Sequence, residues 1–208
     1  MEDILDLYEQ PYDAAHPVVC FDERPCQLIG EVREGQPAAP GRPARHDSDY
    51  QRNGSANVFG YFAPLPGWRC MEVTERRTKA DFAHCMRRLV DEFYPQAERI
   101  RVVLDNLSTH TKAALYDTFS PAEAHRVARK LEFHHTPKHG SWLNAVEIEF
   151  SALSKQCLDR RIGDIETLER ETQAWQVVRN RKAVTLDWQF RTTDARIKLR
   201  RLYPKVAD

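Results

Sequence analysis

Several things are scarce in this chain of 208 residues, and each scarcity closes off a class of protein. Glycine occurs eight times, scattered, and neither GxGxxG nor GxxxxGK[ST] is present, so a glycine-built phosphate loop is excluded. Long apolar runs are missing: none approaches the roughly 18 to 20 residues that span a bilayer. The opening run MEDILDLYEQ is acidic and has no apolar centre, so it does not read as a signal peptide. The expectation is a cytoplasmic protein with no membrane partner. Cysteine is present five times, an odd number, and no pair has CxxC spacing. That argues against a disulfide framework and against a cysteine zinc site. Most of the five sit in apolar runs and read as buried small hydrophobes.

Net charge is also lacking: 31 Lys and Arg balance 31 Asp and Glu. The balance is uneven along the chain. Residues 1–35 hold nine acids against two bases, and residues 179–208 hold nine bases against three acids. A basic tail suits phosphate contacts, and it equally suits a solvated helix face. Within it, Arg196, Lys198, Arg200 and Arg201 are the candidates for phosphate contact.

What is present is an ordinary globular composition, 41% hydrophobic and 30% charged. The length allows a sizeable core. Short β-branched and aromatic runs predict strands at 18–22, 55–63, 67–73, 100–105 and 131–135, with 26–30 continuing the first or returning beside it. The link Pro64-Leu65-Pro66 predicts a hairpin. Residues 35–49, with three prolines and two glycines, predict a loop. Helices are predicted over 79–93 behind a Thr78 cap, over 111–130 with a break at Ser120-Pro121, over about 142–158, over 165–181 behind Asp164, and in the tail around 193–202. Three strands followed by alternating helices and strands predict an α/β protein with a mixed five-stranded sheet flanked by helices. The expected organisation is a segment with a short helix at 1–16, one α/β domain at 17–185 and a basic, helical tail at 186–208.

Two buried runs end in an acid: VVCFD at Asp22 and IRVVLD at Asp105. In open α/β sheets functional groups gather at the C-terminal ends of strands. If the two strands are parallel neighbours, both carboxylates face one crevice and repel each other unless a cation neutralises them. The alternative is that each Asp simply caps the turn that follows its strand. A third acid comes from the predicted helix after TPKHGSW. There Leu143, Val146, Phe150, Leu153 and Cys157 form the apolar stripe, and Glu147 and Glu149 flank it on opposite sides, each about 80° from its centre. Periodicity does not decide between them.

The motifs carrying these acids resemble those of mariner-type transposases, in particular the bacterial insertion-sequence branch. The family's last motif, a Ser-Pro or Thr-Pro turn followed by Leu-Asn-x-x-Glu, is matched by Thr136-Pro137 and Leu143-Asn144-Ala145-Val146-Glu147. Its second, an apolar strand, Asp-Asn and a nearby His, is matched by Val103-Leu104-Asp105-Asn106 and His110. Its first, a strand ending in Asp-Glu, is matched by Phe21-Asp22-Glu23. The C-terminal DWQFRTTDARIKLRRLYP is similar to the tail of that branch. The resemblance covers nearly the whole chain.

It implies an RNase H-like, retroviral-integrase-like fold and an Asp-Asp-Glu triad of Asp22, Asp105 and Glu147. Those acids would hold two Mg²⁺ or Mn²⁺ ions that cut element ends and join the freed 3′-hydroxyl to target DNA. Glu23, Asn106, His110 and Asn144 are supporting candidates. Lys138 is a candidate phosphate contact, and Trp142 a candidate for stacking on a base or for a hydrophobic staple. The family usually carries helix-turn-helix units ahead of the catalytic domain, whereas this chain opens on residues like the linker into it. The expected partners are therefore DNA, a second copy of the chain, and a separate helix-turn-helix chain. Two other readings remain open: an RNase H-like nuclease without strand transfer, and an inactive remnant that only binds DNA or a full-length partner.

Overall fold

The computed structural model describes residues 1–33, 38–43 and 48–203. The strands are β1 (Val18–Glu31), β2 (Tyr50–Ala63), β3 (Trp68–Thr74), β4 (Ile100–Leu104) and β5 (Leu131–His135). They form one mixed sheet in the order β3-β2-β1-β4-β5. The β1–β2 and β2–β3 pairs are antiparallel, and the β1–β4 and β4–β5 pairs are parallel. The five-stranded mixed sheet is thus as expected, and the run 26–30 continues β1 rather than returning beside it.

The helices are α1 (Glu2–Glu9), α2 (Lys79–Arg88), α3 (Lys112–Thr118), α4 (Pro121–Lys130), α5 (Val146–Gln156), α6 (Ile165–Arg181) and α7 (Thr192–Lys198). The predicted caps are in place. Thr78 and Asp81 form a reciprocal capping box, Ser120 caps α4 with Pro121 in the first turn, and Asp164 caps α6. The helix expected over 142–158 begins later. A short turn, Ser141–Leu143, precedes Asn144, whose backbone is extended, and α5 starts at Val146. The predicted 35–49 loop lies partly outside the described residues.

Alternation along β1 divides the core in two. Val18 and Cys20 face a cluster with α1, α5 and α6, while Val19 and Phe21 face one with α2, α3 and α4. On β4, Val103 belongs to the first cluster and Val102 and Leu104 to the second. Cys20 is in register with Val103. Two residues further along each strand, the same parity brings Asp22 and Asp105 side by side on the α5 face.

Three features fix α5 on that face. Gly60 on β2 is in register with Asp22, and a Cβ there would lie 2.7 Å from the Phe150 ring and 2.9 Å from Val146 Cγ2. The helix therefore sits closer to the sheet than a side chain would allow. From below, the Tyr8 hydroxyl of α1 donates to the Leu143 carbonyl at 2.7 Å and accepts from the Ala145 N–H at 3.3 Å. With Ile4, Leu5, Leu7 and Tyr8 buried, α1 shares a core with Trp188 and Ala195 of the C-terminal segment. Arg196 closes this seam with a two-pronged pair to Glu2 at 2.8 Å.

Candidate active site

The site is built where the parallel seam between β1 and β4 opens. Asp22 is nearly buried, at 6% exposure, and Asn144 donates to its Oδ2 at 3.2 Å and to the Phe21 carbonyl at 2.9 Å. These two bonds explain why Asn144 stands outside the helix: its side chain ties the α5 entry to the end of β1. The Glu23 backbone N–H donates to Asp22 Oδ1. Glu147, in the first turn of α5, opens to solvent close enough to Asp22 for the two carboxyls to shift each other's titration.

Charge in this crevice is held unequally. Burial pushes Asp22 up to about 7, and the carboxylates of Asp105, Glu147 and Glu23 add to the rise. Burial also raises Glu147, despite the nearby Asp22 and Arg24. Asp105 goes the other way. Burial would raise it, but the bond from His110 at 2.5 Å and the Leu107 N–H hold it below the ordinary carboxylate range. His110 is fully enclosed between two acids, with Nδ1 on Asp105 Oδ1 and Nε2 2.9 Å from Glu23 Oε2. Burial opposes its protonation, yet the two partners lift it to about 9, so at neutral pH it is a cation, hydrogen-bonded to Asp105 through Nδ1 and ion-paired with Glu23 through Nε2. Phe82 and Phe21 wall the ring in, at 4.9 and 5.8 Å between centroids.

Glu149, which periodicity left level with Glu147, is placed elsewhere. It is buried and ion-paired, 2.9 Å from Arg69 Nε on β3 and 2.7 and 2.8 Å from Arg179 on α6. Arg69 is itself fully buried and donates to the Val184 carbonyl. Glu149 therefore locks α5 to β3 and α6, and Glu147 alone of the pair faces the two aspartates. Periodicity could not see this, because the deciding partners lie 80 and 30 residues away.

Of the other predicted residues, Asn106 is exposed beside Asp105 and Lys138 is exposed in the turn before α5. Trp142 is 43% exposed, with one side against Trp188 and Phe190. The tail cations are divided. Arg196 is committed to Glu2, Lys198 lies over Phe190 and 3.5 Å from Asp194, and Arg200 and Arg201 are exposed. Sequence reading missed His135, whose Nδ1 meets the Asp105 carbonyl at 3.1 Å, and Tyr8, which holds the α5 entry.

The donor set suits a hard divalent cation: three carboxylates at the open end of one seam, one of them nearly buried. Like charges so placed need a proton or a cation between them. Among the described residues, no three His, Cys, Asp or Glu side chains are already gathered in ligand geometry. The fit therefore rests on donor chemistry and on the raised Asp22.

Comparison with solved structures gives the same architecture. The Mos1 transposase paired-end complex with left transposon end matches with a TM-score of 0.59 at 16% identity, over 88% of this chain and 55% of that one. The Mos1 strand transfer complex matches at 0.57 and 16%, over 88% and 58%. The catalytic domain of Mos1 mariner transposase matches at 0.50 and 12%, over 88% and 87%. The chain thus spans a little over half the length of the chains in the two Mos1 complexes. The fold they share with it is RNase H-like. No curated protein sequence matches the chain. The model of the DDE superfamily endonuclease family, however, matches residues 17–169, and the chain belongs to that family.

Proposed function

We propose that this chain is the catalytic part of a cut-and-paste DNA transposase, with Asp22, Asp105 and Glu147 as its metal-holding acids. The observation that supports the reading is the parallel register that sets Asp22 and Asp105 at the same end of one seam, with Asn144 tying the start of α5 to Asp22, while Glu149 is consumed by Arg69 and Arg179. The three carboxylates would hold two Mg²⁺ or Mn²⁺ ions. Such ions activate water or a 3′-hydroxyl and stabilise the leaving oxygen in phosphodiester chemistry.

The remaining work falls to the chain's own side chains. His110 and the Leu107 N–H both engage Asp105 Oδ1, which keeps that carboxylate ionised and leaves Oδ2 outside these two bonds. Asn144 fixes the Asp22 carboxylate and the start of α5 with one amide group. Lys138 and the exposed Arg200 and Arg201 are offered to DNA phosphates. The partners fitting this reading are element ends and target DNA, a second copy of the chain, and a helix-turn-helix chain that reads the ends.

Pre-cut element ends, mixed with target DNA and Mn²⁺, separate this reading from a nuclease that only hydrolyses. A transposase joins the 3′-ends to the target, and the joined product is visible as a longer labelled strand. Hydrolysis of the same ends with no joined product at any target concentration would replace the transposase by a nuclease.

A further inference from the structure

The mechanism above leaves one feature beside Glu147 unused. On α5, Ile148, Ser151, Ala152 and Lys155 lie three, four and seven residues apart and so share one face. That face is turned to solvent although Ile148 is 44% exposed. With Trp142 and Gln156 it lines an open hollow of about 560 Å³. Glu147 lines the same hollow, so it opens directly off the carboxylate crevice.

Trp142 is the wall of this hollow, and its ring is held in advance. Trp188 lies nearly parallel to it, 6.3 Å away and tilted by 11°, and Phe190 meets it edge-on at 5.6 Å. Trp188 is fixed in turn by its Nε1 bond to the Phe190 carbonyl and by Tyr8 at 5.0 Å. A pinned tryptophan loses little freedom when something flat is laid on it. An exposed Trp and Ile flanked by Lys, Ser and Gln do not contribute to the core, which already runs along the opposite face of α5 through Val146, Phe150 and Leu153. Exposed apolar groups ringed by polar ones mark a binding surface.

We infer that this hollow receives an unpaired nucleobase of the DNA strand whose phosphate lies at Asp22, Asp105 and Glu147. The base would stack on Trp142 and rest against Ile148, with Lys155 meeting a neighbouring phosphate. The occupant follows from position: successive nucleotides rise by about 3.4 Å, so a strand at Glu147 delivers its next base to a hollow that Glu147 itself lines. A paired base has both faces covered by its neighbours and has none to offer Trp142. The inference rests on the transposase reading, and it makes that site selective for ends that are frayed or melted.

The test uses the full chain and two labelled duplexes, one fully paired and one with three mismatched positions near the end. Affinities are measured with Ca²⁺ in place of Mg²⁺. The wild type should prefer the mismatched duplex. Trp142→Ala should weaken binding to it roughly five- to a hundredfold, the range for one lost base–aromatic stack, and leave the paired duplex unaffected. Trp142→Phe should recover part of the loss. If Trp142→Ala proves unfolded by circular dichroism, Trp142→Phe and Lys155→Ala carry the test, each with a smaller loss confined to the mismatched duplex. Equal binding of both duplexes by wild type and variants would overturn the base site alone. Loss of self-association in Trp142→Ala with unchanged DNA binding would also overturn it and mark the hollow as a contact between copies. A wild type that binds neither duplex would overturn the base site, whereas the transposase reading falls only with failure to join pre-cut ends.

Discussion

Asp22 is the residue on which the site's electrostatics turn, because its folded pKa of about 7 stands far above the ordinary 3.8. The sign follows from linkage. The folded chain holds this proton more tightly than the unfolded chain, so the group's contribution to stability falls as pH rises from about 4 to 7 and is fully lost above that. At about 1.4 kcal/mol per unit, Asp22→Asn should stabilise the metal-free chain at pH 8 by about 2–4 kcal/mol and leave it little changed at pH 4. Mg²⁺ should raise the melting temperature of the wild type at pH 8 and not that of the variant. Calorimetry across this range checks both, and parallel curves for the two proteins would refute the cause assigned to the shift.

The residues at this scale were unevenly legible. Asp22 and Asp105 could be read directly, since an acid ending a buried β-branched run stands out from its neighbours. His110 could be named only through the family motif. Its enclosure between Asp105 and Glu23 depends on a turn bringing it back beside β1, which no local pattern announces. Glu147 could be chosen only by resemblance, because the groups that remove Glu149 from consideration sit on β3 and α6.

Among elements, α5 matters most, and its position depends on what is absent from β2. Any side chain at Gly60 must displace Phe150 or Val146, and with them the helix that carries Glu147. Gly60→Ala should cost about 1–3 kcal/mol by overpacking and should weaken Mn²⁺ binding, measured by titration of the purified chain. Full stability and unchanged Mn²⁺ affinity would mean that the close approach has no role. The element boundaries that differ from expectation have local causes. The helix starts at Val146 because Asn144 spends its amide on β1. The ladder of β1 and β2 runs to Glu31 and Tyr50, past the apolar residues, because antiparallel pairing continues between exposed polar positions that carry no periodic signal.

Across the whole molecule, α1 and α7 meet beneath the candidate site. Acid-rich α1 and the base-rich tail looked like a linker and a DNA-contacting arm. One tail cation, Arg196, pairs with Glu2, and the Thr192 hydroxyl donates to Asp6. Composition could show the two opposite biases but not that they pair, since 194 residues separate Glu2 from Arg196. The apolar side of that seam supports Leu143 and Ala145 through Tyr8, so the start of α5 is held from α1 as well as from the sheet.

The central claim is that Asp22, Asp105 and Glu147 act together in divalent-metal-dependent DNA cleavage. The direct measurement is cleavage of a labelled DNA substrate with Mn²⁺ by the wild type and by Asp22→Asn, Asp105→Asn and Glu147→Gln, each shown by circular dichroism to be folded. The account predicts cleavage by the wild type and a loss of at least about a thousandfold, some 4 kcal/mol of barrier, in each variant. A folded Asp105→Asn protein that cuts DNA at the wild-type rate would contradict it.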